Sequence, residues 1–497
     1  MQYIVDRGLD IIEPFQCLFM TSSPVQPPRK PPSALPLEIW LDIFQFATYV
    51  PRSSAAKPLD PFAFQRISRD IMGVNTPAMA LYTKLALARV SKAWRRLTIP
   101  LLYEHIVVRS PSRANMILNV LWRSANRDQE SADPPPPEKS GYGQWTRHIE
   151  VLTHSRGSAN LSYYQTVFSI FRLCQNVRVL TGVWNHIIPA EFASVVSQWY
   201  GPCLESLSWC EAPSKTQNGA LLSPSSTFTF LGSFKSLRVL DLRHRSIRLR
   251  TGVDPYPLEL PDGIQATLPL VRHLIVSSHS RSLSIAAHLS LPRLLNLTIK
   301  TSLSDKIDNQ LVRKFLQTHG ELLESVEISL PSSSPDDESA PDSSTRRTAS
   351  HINPEYFLDA NTCPNLLSIS FPITSPVPDC ETPHPNLRRI GLRGVRSDIL
   401  LPDGARTEKN QLLVITPERY PMLESVQTIG FLVEADGDSG TKDVFIWWVE
   451  RFEKFGIDFL DGEGVLWVYD EPEPRSNSVG PNAAVKKQYD NEITVLQ

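Results

Sequence analysis

The residues that most often perform catalysis or bind metal ions lack, in this chain, the spacing that such chemistry needs. There is no phosphate-binding G-x-x-x-x-G-K-[ST], no dinucleotide-binding G-x-G-x-x-G, no nucleophile motif G-x-S-x-G and no zinc-binding H-E-x-x-H. The 11 histidines show no spacing that would assemble a metal site. A calcium loop starting at Asp436 would need a glutamate at its twelfth position, where Trp447 stands. The sequence therefore predicts no catalytic residue, no metal ion and no cofactor.

Composition narrows the class of protein further. The 50 lysines and arginines nearly balance the 52 aspartates and glutamates, so the net charge of -2 favours neither nucleic acid nor an anionic membrane as a partner. Six scattered cysteines without a Cys-x-x-Cys pair are typical of a reducing compartment. Acidic residues interrupt the N-terminal stretch where a signal peptide would be apolar, and the longest strongly apolar run, Val444–Val449, is too short to span a membrane. We therefore expect a cytoplasmic and/or nuclear protein with no membrane partner.

Proline is unusually frequent, with 42 prolines against 22 glycines in 497 residues. That length suffices for roughly three domains. The prolines favour many short elements joined by rigid turns over long helices. They concentrate in an N-terminal arm, at 134–137 and in a low-complexity stretch at 331–350, which we predict to be loops or linkers.

An apolar-x-x-apolar-x-apolar pattern recurs from about residue 146 onward, with starts 21 to 43 residues apart. Each copy predicts a short strand, and segments such as 193–201 and 309–320 can supply helices between copies. One such strand cannot bury its apolar face alone, so we expect the copies to stack into a parallel sheet. The clear copies begin at Val177, Leu204, Leu237, Val271, Leu294, Leu323, Leu366 and Leu387, and weaker ones begin at Thr146 and Leu423.

These copies resemble degenerate leucine-rich repeats, in which L-x-x-L-x-L begins each unit. The asparagine ladder of that family is mostly absent and the period is irregular, so an ordinary α/β domain with similar strands is the alternative. Helical periodicity at 441–456 and a strand at 464–471 would cap the end of the repeats. The aromatic face of that helix, which we predict to be core, consists of Phe445, Trp448, Phe452 and Phe455.

The strongest functional signal is a predicted helix at Leu37–Ala47. Its polar residues, Glu38, Asp42 and Gln45, form one narrow stripe, and apolar residues cover both flanks. A small helical unit has one core to offer, so the second flank is available to a partner protein that receives the helix in a groove. The alternative is that an inserted segment at 51–83 covers this flank internally.

This region resembles an F-box. The stretches LPLEIWLDIF (Leu35–Phe44) and LALARVSKAWRRLTIPLLY (Leu85–Tyr103) match the opening Leu-Pro-x-Glu-Ile and the closing Val-Ser-Lys-x-Trp of that motif. An N-terminal F-box before leucine-rich-repeat-like units is typical of F-box proteins that are abundant in mushroom-type fungi. Some 37 residues lie between Ala47 and Leu85 here, where the family joins the two halves by a few, but a surface insertion of that length costs little entropy.

The resemblance implies the substrate-recognition subunit of a Skp–cullin–F-box ubiquitin ligase, which serves ubiquitin-dependent degradation and is not itself an enzyme. Its partners would be a Skp-type adaptor, a cullin bound through that adaptor, and an unknown protein substrate. A leucine-rich-repeat scaffold without ligase activity is the alternative. The adaptor contacts that the resemblance carries over are Leu35, Pro36, Leu37, Ile39, Ile43, Val90 and Trp94.

Substrate choice would then lie on the residues that flank the inward leucines, because alternate residues of a strand face opposite sides of a sheet. For any one of them a generic solvated face is the simpler interpretation. Their mild excess of basic residues favours an acidic or phosphorylated partner. The candidates are Asp241, Arg243, His273, Thr298, Lys300, Arg389 and Arg393.

We therefore predict the α/β class, with a small all-α F-box followed by an irregular leucine-rich-repeat-like α/β solenoid. The predicted segments are a disordered arm (1–32), the F-box (33–108, with the insertion 51–83), a linker (109–145), the solenoid (146–435, with the disordered loop 331–350), a cap (436–471) and a tail (472–497).

Overall fold

The computed structural model describes residues 35–50, 60, 62, 76–126, 141–152, 160–184, 190–211, 224–243, 265–302, 307–330, 351–380, 382–401, 411–433, 439–467 and 495–496. The arm at 1–32, most of the insertion at 51–83, the loop at 331–350 and nearly all of the tail lie outside the described residues. The chain divides into two compact units, Met1–Ala47 and Thr48–Gln497, so the boundary falls inside the segment predicted as the F-box.

The described part of the first unit contains helix α1, Leu37–Ala47, which has the predicted bounds. Pro36 directly precedes α1, and its carbonyl oxygen accepts a hydrogen bond from the Trp40 amide at 3.2 Å. Proline suits this place because the first amides of a helix have no partner within the helix. Trp40 and Phe44, one turn apart, bring their ring centroids to 6.0 Å.

The first two helices in the described part of the second unit both begin at an N-cap residue. These are α2, Pro77–Val90, and α3, Lys92–Tyr103. The hydroxyl of Thr76 accepts from the Met79 amide at 3.2 Å, and the hydroxyl of Ser91 accepts from the Trp94 amide at 3.1 Å. Ser91 thereby fixes the start of α3 at Lys92. Helix α2 begins within the predicted insertion because threonine followed by proline is a helix-start signal.

The large sheet is built from short strands in chain order. Within the described residues 14 strands form one sheet. From β1 through β14, neighbouring strands of this sheet pair in parallel, with β6 and β8 left out of the order. Strands β6 and β8 form a separate pair, and β15 and β16 close the sheet with antiparallel pairing. The α/β class is thereby confirmed. The strands are β1 His105–Val108, β2 His148–Leu152, β3 Val179–Trp184, β4 Ser206–Glu211, β5 Val239–Leu242, β6 Ala266–Thr267, β7 His273–Ser277, β8 Leu289–Ser290, β9 Asn296–Lys300, β10 Ser325–Ile328, β11 Ser368–Pro372, β12 Arg389–Arg393, β13 Ser425–Gln427, β14 Asp458–Leu460, β15 Leu466–Trp467 and β16 Val495–Leu496.

The recurring apolar positions form the core on one side of this sheet. Leu274, Leu297 and Val326 are in register on neighbouring strands, and all three are buried. Burying one such side chain fully stabilises the fold by roughly 1.5–3 kcal/mol relative to leaving it exposed. A single strand could not bury these side chains without its neighbours. Every predicted copy of the pattern contains a strand, as expected.

Helices between the strands cover the same apolar side. The hydroxyl of Tyr200 donates to the carbonyl oxygens of Phe171 and Cys174 at 2.8 and 2.9 Å, which fixes one helix to the end of its neighbour. Gly320 directly follows a helix and has a helical backbone conformation. Glycine is needed there because a Cβ atom would collide with the carbonyl oxygen of Thr362. The helices are α4 Pro111–Asn126, α5 Asn160–Leu173, α6 Ala190–Tyr200, α7 Pro224–Gly232, α8 Ser280–Ala287, α9 Asn309–His319, α10 Glu355–Leu358, α11 Ser397–Leu400, α12 Gln411–Val414 and α13 Ser439–Glu453.

The structure differs from the sequence predictions at four places. Residues 105–108, at the end of the segment predicted as an all-α F-box, form β1, since three successive β-branched residues favour extended backbone. The segment predicted as a linker, 109–145, contains α4, which packs against α5. Phe455 is exposed, because α13 ends two residues earlier, whereas the other three aromatic residues of its predicted face are buried. Within the predicted tail, Val495 and Leu496 pair with β15.

No described helix combines the length and the apolar character that crossing a bilayer requires.

Candidate binding surfaces

Helix α1 exposes four large apolar side chains, which we call the α1 surface: Ile39, Ile43 and Phe46 on one face, and Leu37 in the first turn on the opposite side. Ile39, Ile43 and Phe46 follow the i, i+4, i+7 spacing of one helix face, and Phe46 is 85% exposed. Phe44, on another side of the helix, is only 1% exposed. Large apolar side chains collected on one exposed helix face mark an interaction surface.

The carried-over adaptor residues of the first unit are all accessible. Leu35 and Pro36 are exposed just before α1, and Leu37, Ile39 and Ile43 belong to the α1 surface. The structure therefore gathers these five residues on and directly before one helix.

Helices α2 and α3 carry the two remaining adaptor candidates. They pack against each other, and the Lys84 ammonium donates to the Leu101 carbonyl oxygen at 2.9 Å. Val90 is exposed at the end of α2, and Trp94 is half-buried in the first turn of α3.

Sequence reasoning missed a second exposed apolar face on α2. Met79 and Tyr82 are exposed and share a helix face with Val90, and we call these three residues the α2 surface. Their i, i+3, i+11 spacing could have predicted this face, but only if the helix had been predicted to begin at Pro77.

The substrate candidates lie on the polar face of the sheet, opposite the core ladder. Asp241 and Thr298 occupy the same register row as three residues that the sequence analysis did not select: Glu327, Ser370 and Gln427. We call these five residues the polar row. Asp241, Thr298, Glu327 and Ser370 stand between two inward apolar positions of their hexapeptides, and Gln427 follows the inward Val426, so the repeat pattern itself contained the signal for the missed ones.

Asp241 is held by its own strand and the preceding one. The Arg243 guanidinium binds both carboxylate oxygens, with Nε 2.9 Å from Oδ1 and Nη2 2.7 Å from Oδ2. The Ser208 hydroxyl donates to Oδ2 at 3.0 Å. Asp241 is buried while the Arg243 side chain remains about half exposed.

Glu327 is the centre of a second network. Its carboxylate accepts from Lys300 Nζ at 3.0 Å and from the Thr298 hydroxyl at 3.3 Å, and Arg393 Nη2 lies 3.4 Å away. Because the Thr298 hydroxyl donates to Glu327, it accepts from Nε2 of His273 at 2.9 Å, so Nε2 carries the ring proton. Two strands farther along, Arg393 Nε also donates to the Ser370 hydroxyl at 3.2 Å.

The seven substrate candidates of the sequence therefore fall into two groups. Asp241, His273, Thr298 and Arg393 are buried in these networks, whereas the side chains of Arg243, Lys300 and Arg389 stay accessible. The accessible group is entirely cationic.

Burial fixes the protonation of the second network. Burial lowers the pKa of His273 to about 4, so this ring is neutral at neutral pH. Burial alone would raise the pKa of Glu327, but the charges of Lys300 and Arg393, with hydrogen bonds from Lys300 and Thr298, outweigh it and hold the pKa below its ordinary value. The network therefore contains one carboxylate that contacts two cations directly and is joined to the neutral His273 through the Thr298 hydroxyl.

His273 makes the stability of the fold depend on pH. An unfolded histidine takes up a proton near pH 6.5, whereas folded His273 stays neutral until the pH approaches 4. Between these values the unfolded state binds more protons, so acidification favours unfolding, by about 2 kcal/mol at pH 5 relative to pH 7.5. In His273→Gln, where the amide can still bond to Thr298, the loss of unfolding free energy between pH 7.5 and pH 5 is expected to shrink by about that amount. Urea unfolding at both pH values measures it, and an unchanged loss would contradict the assignment.

Phe62, a residue of the insertion, lies on the polar face of the sheet, against strands β12 and β13. Phe62 is 4% exposed, and its ring lies beneath the guanidinium of Arg389, 4.1 Å from ring centroid to carbon. Gln427 Nε2 donates to the Phe62 carbonyl oxygen at 3.3 Å. No local pattern could reveal this contact, because it joins residues far apart in the chain.

The described residues offer no arrangement for metal binding. No group of three or more histidines, cysteines, aspartates or glutamates in this part of the chain is placed to hold a metal ion. Burial raises the pKa of Cys174 to about 11 and that of Cys363 to about 12, so both thiols stay protonated at neutral pH.

Comparison with known proteins gives little further guidance. No family model matches the chain, and no curated protein matches it. Among solved structures the chain is similar to a chain of the crystal structure of the Rad7 and Elc1 complex in yeast, over 69% of this chain and 75% of that chain. The identity is 10% and the TM-score is 0.29, values too low to support any inference about fold or function.

Proposed function

We propose that this chain is the substrate-recognition subunit of a Skp–cullin–F-box ubiquitin ligase in the cytoplasm and/or nucleus. The observation that carries the proposal is the α1 surface, whose Leu37, Ile39 and Ile43 are exposed at positions that match the F-box motif. A soluble helix keeps such a face uncovered at a cost in stability unless a partner covers it. A Skp-type adaptor is the partner that the motif implies, and it would connect the chain to a cullin.

The second part of the proposal is that the large sheet belongs to an irregular leucine-rich-repeat solenoid that holds the substrate. It is supported by the parallel pairing of successive strands and by the in-register core ladder of Leu274, Leu297 and Val326. Such repeats present one face of the sheet as a binding surface.

The proposed mechanism needs no catalytic residue in this chain. Ubiquitin transfer would take place elsewhere in the assembly. This chain would raise the effective concentration of a bound protein substrate near the charged conjugating enzyme, as any linked binding module does. Helix α4 occupies much of the segment predicted as a linker, so the region between the proposed F-box and the repeats includes an ordered helix.

The experiment is affinity purification of the tagged chain with and without proteasome inhibition, recording adaptor, cullin and enriched clients. Ile43→Glu places a charge in the middle of the α1 surface, and Gln45→Glu adds the same charge to an exposed polar position two residues away. We expect Ile43→Glu to reduce adaptor recovery at least tenfold, because an unpaired carboxylate would have to be buried on binding.

Gln45→Glu is the matched control and should leave adaptor recovery unchanged. Clients that accumulate only when the proteasome is inhibited would support the ligase role. Recovery of clients without adaptor or cullin, from the unmodified chain, would instead favour the alternative of a repeat scaffold without ligase activity.

A further inference from the structure

The recess that holds Phe62 exists because one strand position carries no side chain. Gly391 lies in the middle of β12, in register with Ser370 on β11 and with Gln427 on β13. A Cβ atom at Gly391 would come within 2.9 Å of the Ser370 Cβ and 3.0 Å of the Phe62 ring. Glycine inside a strand often marks a place where another group approaches the backbone closely, and here the approaching groups are Cδ1 of Ile429, which would lie 2.5 Å from a Cβ atom, and the Phe62 ring.

The walls of the recess supply three different kinds of contact, and we call Arg389, Gly391 and Gln427 the Gly391 socket. The Arg389 guanidinium stacks on the ring of Phe62 as a cation on an aromatic face. Its Nη1 also lies 3.9 Å from the carboxylate of Asp60. Gln427 binds the main-chain carbonyl oxygen of Phe62.

The occupant holds itself in a shape that suits these contacts. The Phe62 amide donates to the Asp60 Oδ1 at 3.0 Å, so the acidic side chain turns toward the backbone of Phe62. One arginine can therefore contact the carboxylate and the ring together. An acidic residue two positions before an aromatic residue is a short linear feature, which can be supplied by any exposed peptide as well as by this chain.

We propose that the Gly391 socket is a docking site for a partner protein's peptide that carries an acidic residue two positions before a phenylalanine, and that Asp60 and Phe62 are its intramolecular occupant. Partner and occupant then compete for one site. The accessible cations of the polar face, Arg243 and Lys300, lie on the same face of the sheet and suit further acidic residues of such a peptide. The proposal goes beyond the proposed function and holds whether or not the chain binds an adaptor.

The intramolecular occupant should weaken the binding of a peptide by a measurable factor. A tethered occupant acts at an effective concentration of about 1 mM. A peptide that binds the vacant socket with a Kd of about 100 µM should therefore bind the unmodified chain roughly tenfold more weakly.

The test uses the full chain and a fluorescent peptide with the sequence of residues 57–63, KPLDPFA, followed by fluorescence anisotropy. Phe62→Ala vacates the socket. We expect this variant to bind the peptide at least tenfold more tightly than the unmodified chain, and we expect no binding of a peptide in which both aspartate and phenylalanine are replaced by alanine.

Two neighbouring arginines provide the matched control in the Phe62→Ala background. Arg389→Met removes the stacked cation, and Arg388→Met removes an equal charge from an arginine that pairs with Glu424. Only Arg389→Met should weaken peptide binding by tenfold or more. No binding to Phe62→Ala, equal binding by Phe62→Ala and the unmodified chain, or equal effects of the two arginine changes would overturn the proposal. Because no adaptor is present in this assay, none of these outcomes bears on the adaptor interaction.

Discussion

Glu327→Gln is expected to lower the free energy of unfolding by about 3 kcal/mol at pH 7. The change leaves Arg393, whose side chain is 11% exposed, without its carboxylate partner in the polar face. Loss of one partner from a buried ion pair costs about 3–5 kcal/mol, because the remaining charge stays desolvated. The lower end applies here, since Lys300 keeps 36% of its side-chain surface in water and can be solvated again.

Glu424→Gln makes the same change of charge at a surface ion pair and serves as the control. Glu424 binds Arg388 at 3.1 Å, but both side chains are more than half exposed. Exposed pairs contribute about 0–1 kcal/mol, so the loss should stay within that range. Urea unfolding followed by circular dichroism compares the two, and equal losses would show that Glu327 is not the centre of a buried network.

Trp448→Ala is expected to cost about 3–5 kcal/mol, the range for a buried aromatic residue cut back to alanine. Trp448 is fully buried in α13, and its indole Nε1 donates to the Leu400 carbonyl oxygen at 2.7 Å. Its ring lies 6.1 and 6.4 Å from the rings of Phe452 and Phe459. The variant would leave both a cavity and a buried carbonyl oxygen without its donor.

The preceding residue offers a matched control for this prediction. Trp447 touches Trp448 with ring centroids 4.8 Å apart, but it is 39% exposed. Trp447→Ala should cost at most about 1 kcal/mol, since water already reaches much of its surface. Thermal unfolding of the two variants separates them, and a similar shift of Tm for both would contradict the placement of Trp448 in the core.

The periodic part of the fold was predictable from the sequence because the core depends on a pattern that repeats. An apolar residue at a fixed place in every hexapeptide predicts both the strand and the side it buries, as Leu297 and Val326 show. The exact end of an individual helix was harder to predict. Phe455 continues the apolar spacing of α13, yet it lies beyond the end of the helix, ahead of Gly456 with its positive φ of 70°.

The polar face was predictable in part. Selecting residues beside the inward leucines found Asp241 and Lys300, but it did not include Glu327, which binds Lys300. The contact of Phe62 with Gln427 could not be predicted at all, because it joins an irregular insertion to a distant strand and leaves no periodic signal. Long-range contacts of this kind depend on tertiary packing rather than on local propensity.

The most direct test of the account is a calorimetric titration of a purified Skp-type adaptor into the purified full chain. We predict saturable binding with one adaptor per chain, unchanged by Gln45→Glu and weakened at least 100-fold by Ile43→Glu, which corresponds to about 3 kcal/mol for a charge forced into an apolar contact. Absence of binding by the unmodified chain, or equal Kd values for Ile43→Glu and Gln45→Glu, would contradict the claim that the α1 surface docks on an adaptor.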